Sequence, residues 1–146
     1  MKDASYPLRV GYMTALGGLS FKGQEIVSHD EIKPYDDDSS MYIVVSGQTF
    51  DETSLKCGFE TEHIISLNIV CKYALGSGTK KDSEDISNEV LSRVYPSTGV
   101  TGVSISEGFN IWKTRLVGSR TLVEETSDER IITKILTFQH SISEVD

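Results

Sequence analysis

Basic side chains are in short supply in this sequence. Fourteen Lys plus Arg face 22 Asp plus Glu in 146 residues, a formal net charge of −8. The deficit runs along the whole chain, with no basic tail and no run of Lys or Arg. A protein that grips nucleic-acid phosphates carries the opposite balance. Cysteine is equally scarce: Cys57 and Cys71 stand alone, without a CxxC or a His within a few residues, and make a poor disulfide framework. Long apolar runs are missing too. The richest windows, Ile64–Cys71 and Ile131–Phe138, contain polar residues and fall short of a membrane span. The N-terminus, with Asp3 after Lys2 and glycines breaking its apolar stretch, reads poorly as a signal peptide. The expectation is a soluble protein of a reducing compartment, folded as one domain over residues 1–146.

What is abundant is hydroxyl. Nineteen Ser and 12 Thr favour a strand-rich chain with polar turns. Glu62–Tyr73 alternates cleanly, with Ile65, Leu67, Ile69, Cys71 and Tyr73 on one face and a mixed row on the other. Met41–Ser46 reads as a short strand inside the sheet. Asn110–Val123 and Arg130–Ile142 flank an acidic tip, Glu124–Glu129, and read as a long β-hairpin. Two helices are expected. One carries Leu8, Tyr12, Ala15 and Leu16 and closes at Gly17–Gly18. The other begins with Asp82 as its cap, carries Ile86, Val90, Leu91 and Val94 on one stripe with Ser87 on the wetter side, and ends at Pro96. A short strand is placed near Gln24–Ser28. The sum is an α+β fold, a mostly antiparallel sheet with one or two helices packed on one face and a long C-terminal β-hairpin.

Motifs that carry chemistry are absent. His29, His63 and His140 are scattered without HxH or HExxH spacing, so each is assigned a structural or solvated role. Asp36, Asp37 and Asp38 lack the alternating ligands of a calcium loop and read as a solvated turn. LGSGTKKD is not a phosphate loop, and no GxSxG surrounds a serine. No catalytic, cofactor-binding or metal-binding residue is therefore assigned. Trp112 lies among Lys113, Arg115 and Arg120, a mixture that can form a single-strand platform. Leu116 shares its parity, which makes core or subunit packing the more economical reading.

The order of these pieces resembles the tail terminator, or tail-completion, proteins of tailed bacteriophages. The likeness rests on MYIVVSGQT at Met41–Thr49 and on TEHIISLNIVCKYALGSGTKKDSEDISNEVLSRV at Thr61–Val94. LRVGYMTALGGL stands in the place of the family's first helix, and Leu116, Gly118 and Arg120 echo a later pattern. The resemblance implies a structural virion protein rather than an enzyme. It would form a homo-oligomeric ring, hexameric by preference, at the head–tail junction, cap the tail tube and join it to the head–tail connector proteins. DNA would pass through the lumen without tight binding, and no membrane or cofactor is implied. Edge-to-edge contacts are what a closed ring needs. The candidate interface residues are Phe50 and Leu55 in a loop over Gly47–Gly58, and Trp112, Arg115, Arg120, Glu124, Glu125, Asp128 and Glu129 on the hairpin. The alternative readings are a monomeric acidic adaptor that binds another protein, or a small hydrolase without a recognisable motif.

Overall fold

In a computed structural model that describes residues 1–30 and 39–145, two helices pack on one face of a five-stranded sheet. The tempting Asp36–Asp38 carboxylates lie outside the described residues. The elements run α1 (Ser5–Ala15), β1 (Ser20–Phe21), β2 (Gln24–Glu25), β3 (Val27–His29), β4 (Met41–Glu52), β5 (Glu60–Ala74), α2 (Lys80–Val94), β6 (Phe109–Glu125) and β7 (Glu129–Glu144). Sheet order is β3-β4-β5-β7-β6, antiparallel except for the parallel β3–β4 pair, while β1 and β2 form a separate small hairpin. This is the α+β architecture expected from the sequence, long C-terminal hairpin included.

Alternation along β5 sorts the sheet into two faces, as period two requires. Ile65, Leu67, Ile69 and Cys71 are fully buried, and their partners across β7 include Phe138, Leu136 and Ile132, also buried. Leu8, Tyr12 and Leu16 from α1 and Ile86, Val90 and Val94 from α2 close over this face to form the core. Burying each such side chain contributes roughly 1.5–3 kcal/mol. Gly11 is inside α1 for a packing reason. A Cβ there would lie 2.4 Å from the Ser104 carbonyl oxygen, so the Val103–Ser104 backbone crosses the helix only because the side chain is missing.

Three local expectations need correction. The strand at Met41 does not stop at Ser46. It runs to Glu52, because Ser46 is an extra residue in a bulge and pairing with β5 resumes at Gly47. Much of the supposed Gly47–Gly58 loop is therefore sheet. The cap of α2 is Thr79, whose hydroxyl accepts from the Lys81 N–H at 3.1 Å, and Asp82 lies three residues on, inside the first turn. There Asp82 is buried, accepting from the Tyr73 hydroxyl at 2.7 Å and pairing with Lys22 at 3.1 Å. Burial, first, and the Asp82 bond, second, raise the Tyr73 hydroxyl well above its usual range. Ser87 is buried with the apolar stripe rather than wetted.

Candidate functional site

The side of the sheet away from the helices is the larger open surface. It is built from the other half of the alternation: Glu62, Ile64, Ser66 and Asn68 of β5, Thr133, Ile135, Thr137, Gln139 and Ser141 of β7, and Lys113, Arg115 and Arg120 of β6. Hydrogen bonds knit it together where apolar contacts would otherwise do so. Ser66 and Thr137 hydroxyls meet at 3.1 Å, and the Ser46 hydroxyl donates to the Asn68 amide oxygen at 2.8 Å. The Gln139 amide takes a bond from Arg115 at 2.8 Å and gives one to Glu62 at 3.0 Å. Lys113, Arg115, Glu62, Gln139 and Ser141 line a shallow pocket of about 210 Å³.

The hairpin β6–β7 continues this surface outward to its tip. Glu124, Glu125 and Asp128 are exposed, and Glu129 is half-buried opposite Ala74. Among the described residues only Glu125 of these approaches a cation, Arg130, at 4.0 Å. β6 is an edge strand: no strand pairs with its far side among the described residues, where the Thr114 N–H donates to the Gly99 carbonyl at 3.2 Å. Two bulges interrupt it, leaving Trp112 and Val117 as extra residues. Bulges of this kind twist an edge and re-aim its side chains. Trp112 is 53% exposed, so its packing into this subunit's own core is ruled out. The parity argument that tied it to Leu116 failed because each bulge resets the alternation; Leu116 packs against the core while Trp112 does not.

The remaining candidates are dispersed. Phe50 lies on the helix side, half-buried, with its ring 4.9 Å from that of His63 and nearly parallel to it. Leu55, 71% exposed, projects from a turn closed by the Leu55–Gly58 bridge. Arg120 is exposed opposite Ile135, between the pocket and the tip. The structure thus gathers Arg115 with Lys113 at one pocket and the four carboxylates at one tip, and leaves Phe50 and Leu55 apart from both. Lys113, named from the sequence only as a basic neighbour of Trp112, completes the pocket with Glu62, Gln139 and Ser141, none of which was singled out. Gln139 and Glu62 are 77 positions apart and meet only through the β5–β7 register.

Its fold is similar to that of a virion chain. A chain in the structure of the virion of a native gene transfer agent particle superposes with a TM-score of 0.71, covering 98% of this chain and 99% of that one at 13% identity. At that identity the likeness speaks for the fold. No protein-family model and no curated protein matches the sequence.

The helix side holds an unanticipated pairing. His63 and His140, read as scattered, stand directly opposite each other on β5 and β7, both fully buried. His140 Nε2 is hydrogen-bonded to the Tyr12 hydroxyl of α1, and its Nδ1 to the Thr114 hydroxyl of β6 at 2.8 Å. His63 Nε2 meets the Thr61 hydroxyl at 3.0 Å, and its Nδ1 has no hydrogen-bond partner among the described residues. Burial lowers the pKa of both rings, that of His140 to about 4, so both are neutral near pH 7. Both rings are sealed from solvent; the bonds of His140 tie α1, β6 and β7 together, and that of His63 stays within β5. Burial also raises the Cys71 thiol to about 11, which makes it an inert core residue, and Cys57 is exposed. Among the described residues no cluster of His, Cys, Asp and Glu converges as a metal site, and no helix is long and apolar enough to cross a membrane.

Proposed function

We propose that this protein is a structural virion component that forms a ring at the head–tail junction, capping the tail tube and joining it to the connector. The observation that carries the reading is the superposition of nearly the whole chain on a virion chain at a TM-score of 0.71. Size and surface chemistry support it. One tail-terminator-like domain is sufficient when the working unit is made by repetition around an axis. A chain with an open sheet edge, a long projecting hairpin and exposed Leu55 and Trp112 has the surfaces such repetition uses. Trp is the residue type most enriched among binding anchors.

The role is assembly rather than turnover, with a hexamer as the favoured ring and tail-tube and connector proteins as axial partners. The net charge of −8 suits a lumen through which DNA slides without adhering. Negative-stain electron microscopy of the purified protein, alone and mixed with tail tubes, tests the proposal. Rings, or caps on tube ends, are expected. A chain that stays monomeric at high concentration and leaves tail tubes uncapped overturns it.

A further inference from the structure

The two charged regions of the hairpin are separated along a rigid strand and are complementary. At the base, Lys113 and Arg115 flank the pocket floored by Ser141 and Gln139. Lys113 makes no hydrogen bond or ion pair among the described residues, and it is exposed. Arg115 is held in place by Gln139, which is itself held by Glu62. Two cations there oppose one carboxylate, and that carboxylate already accepts a hydrogen bond. At the tip, the side chains of Glu124 and Asp128 make neither hydrogen bonds nor ion pairs among the described residues, and both are exposed. Arg115 and Glu124 are nine positions apart on β6, roughly 30 Å in an extended strand, so the tip does not reach the pocket of its own chain.

We propose that the Lys113–Arg115 pocket receives the acidic tip, Glu124 and Asp128, of a second copy of this chain. This inference rests on the ring reading and names the contact that would build it. A patch at one end of the hairpin that fits a different patch at the other end makes a head-to-tail contact, and such contacts close into rings when the rotation permits. The pocket is suited to a carboxylate: the Arg115 fork, oriented by Gln139, supplies paired donors, and Lys113 supplies a mobile point charge. A nucleic-acid strand is the less favoured occupant, because the chain around the pocket is acidic overall and a carboxylate tip of matching charge is present in every neighbouring copy.

Sedimentation velocity of the full chain over a concentration and salt series tests the contact with three variants. The base reversal is Lys113→Glu with Arg115→Glu, the tip reversal is Glu124→Lys with Asp128→Lys, and the third combines all four. Each reversal alone is expected to weaken association about tenfold or more, the combination to restore it, and salt to weaken the wild type. Thermal melting checks that the variants fold; if a reversal does not, Lys113→Gln with Arg115→Gln and Glu124→Gln with Asp128→Gln replace it, each expected to weaken association. Wild-type oligomers unmoved by these changes would overturn the contact and leave the ring reading standing. A wild type that is monomeric alone and does not cap tail tubes overturns both. Loss of binding to a double-stranded oligonucleotide in the base reversal, with assembly intact, would assign the pocket to nucleic acid and overturn the proposal.

Discussion

The two faces of the sheet are made from the same strands and do opposite work. On the helix side every long side chain of mid-β5 is sealed: Ile65, Leu67 and Ile69 have no exposed surface, and even the polar His63 and His140 are enclosed. On the other side hydrogen bonds join Ser66 to Thr137, Ser46 to Asn68 and Gln139 to Glu62, and no helix covers them. The contrast is chemical. A sheet face closed by helices gains from apolar area, whereas an uncovered face must satisfy its polar groups in water or against a partner. β-branched and hydroxyl residues keep the strand conformation there without creating an adhesive apolar patch. Stability should therefore be concentrated on the helix side and interaction on the open side.

The largest expected effect comes from breaking the sealed face. Phe138→Ala deletes a ring packed beside Tyr12, at 6.0 Å between centroids, and should cost about 3–5 kcal/mol in urea unfolding. A loss below 1 kcal/mol would mean that this face is not the seat of stability. Next in size is the pH response of the histidine pair. Above pH ~6.5 the rings are neutral in folded and unfolded chains alike. As pH falls from there toward 4, the unfolded chain takes up protons that the folded chain refuses, so stability drops across that window and levels off below it. For His140, from an ordinary 6.5 down to about 4, the loss is about 3 kcal/mol; His63 acts in the same direction. Unfolding curves of wild type and His140→Gln between pH 7 and 4 measure it. The variant should lose less stability on acidification, and parallel pH profiles would contradict the assignment.

Smaller again is the buried carboxylate that anchors the β1–β2 turn to α2. Lys22 holds a positive φ of 50°, unusual for a residue with a side chain, and its ammonium pairs with Asp82. Asp82→Asn keeps the shape, removes the charge from both the Lys22 and Tyr73 contacts, and should cost about 1–2 kcal/mol in thermal or urea unfolding. An unchanged midpoint would show that the turn is held by its Lys22–Gly23 backbone alone.

What could be seen in the sequence divides along the same line. Sealed elements declare themselves: the alternation from Ile65 to Tyr73 and the spacing of Ile86, Val90 and Val94 each follow from burial of one face, and both elements are where they were expected. Features set by a distant strand do not. Ser46, Trp112 and Val117 are bulged because of what β5 and β7 offer opposite them, which no local window contains. The His63–His140 pair and the Glu62–Gln139–Arg115 chain each need a register across 77 positions, or 24 for the last link. Asp82 looked like a cap because a carboxylate near a helix start usually is one, and only the tertiary approach of Lys22 and Tyr73 explains why it is buried instead. The charged tip was legible because it depends on nothing else.

The smallest expected effect on stability separates the two faces most sharply. Trp112 is the single tryptophan, yet more than half of it is in solvent on the bulged edge beside Lys113. A tryptophan in a core would cost about 3–5 kcal/mol on truncation to alanine. Here Trp112→Ala should shift unfolding by no more than about 0.5 kcal/mol, because the side chain leaves no cavity behind. If the edge strand is where copies meet, the same substitution should still weaken self-association by about tenfold, as loss of an aromatic anchor does. Measuring melting and sedimentation on the one variant tests both statements. A large stability loss would show Trp112 to be part of the fold's own packing, and unchanged sedimentation would remove it from the interface. Trp112 shares its edge with exposed Val117, Leu122 and Val123, so a variant that melts like the wild type but associates less would place the partner of this side chain in another molecule.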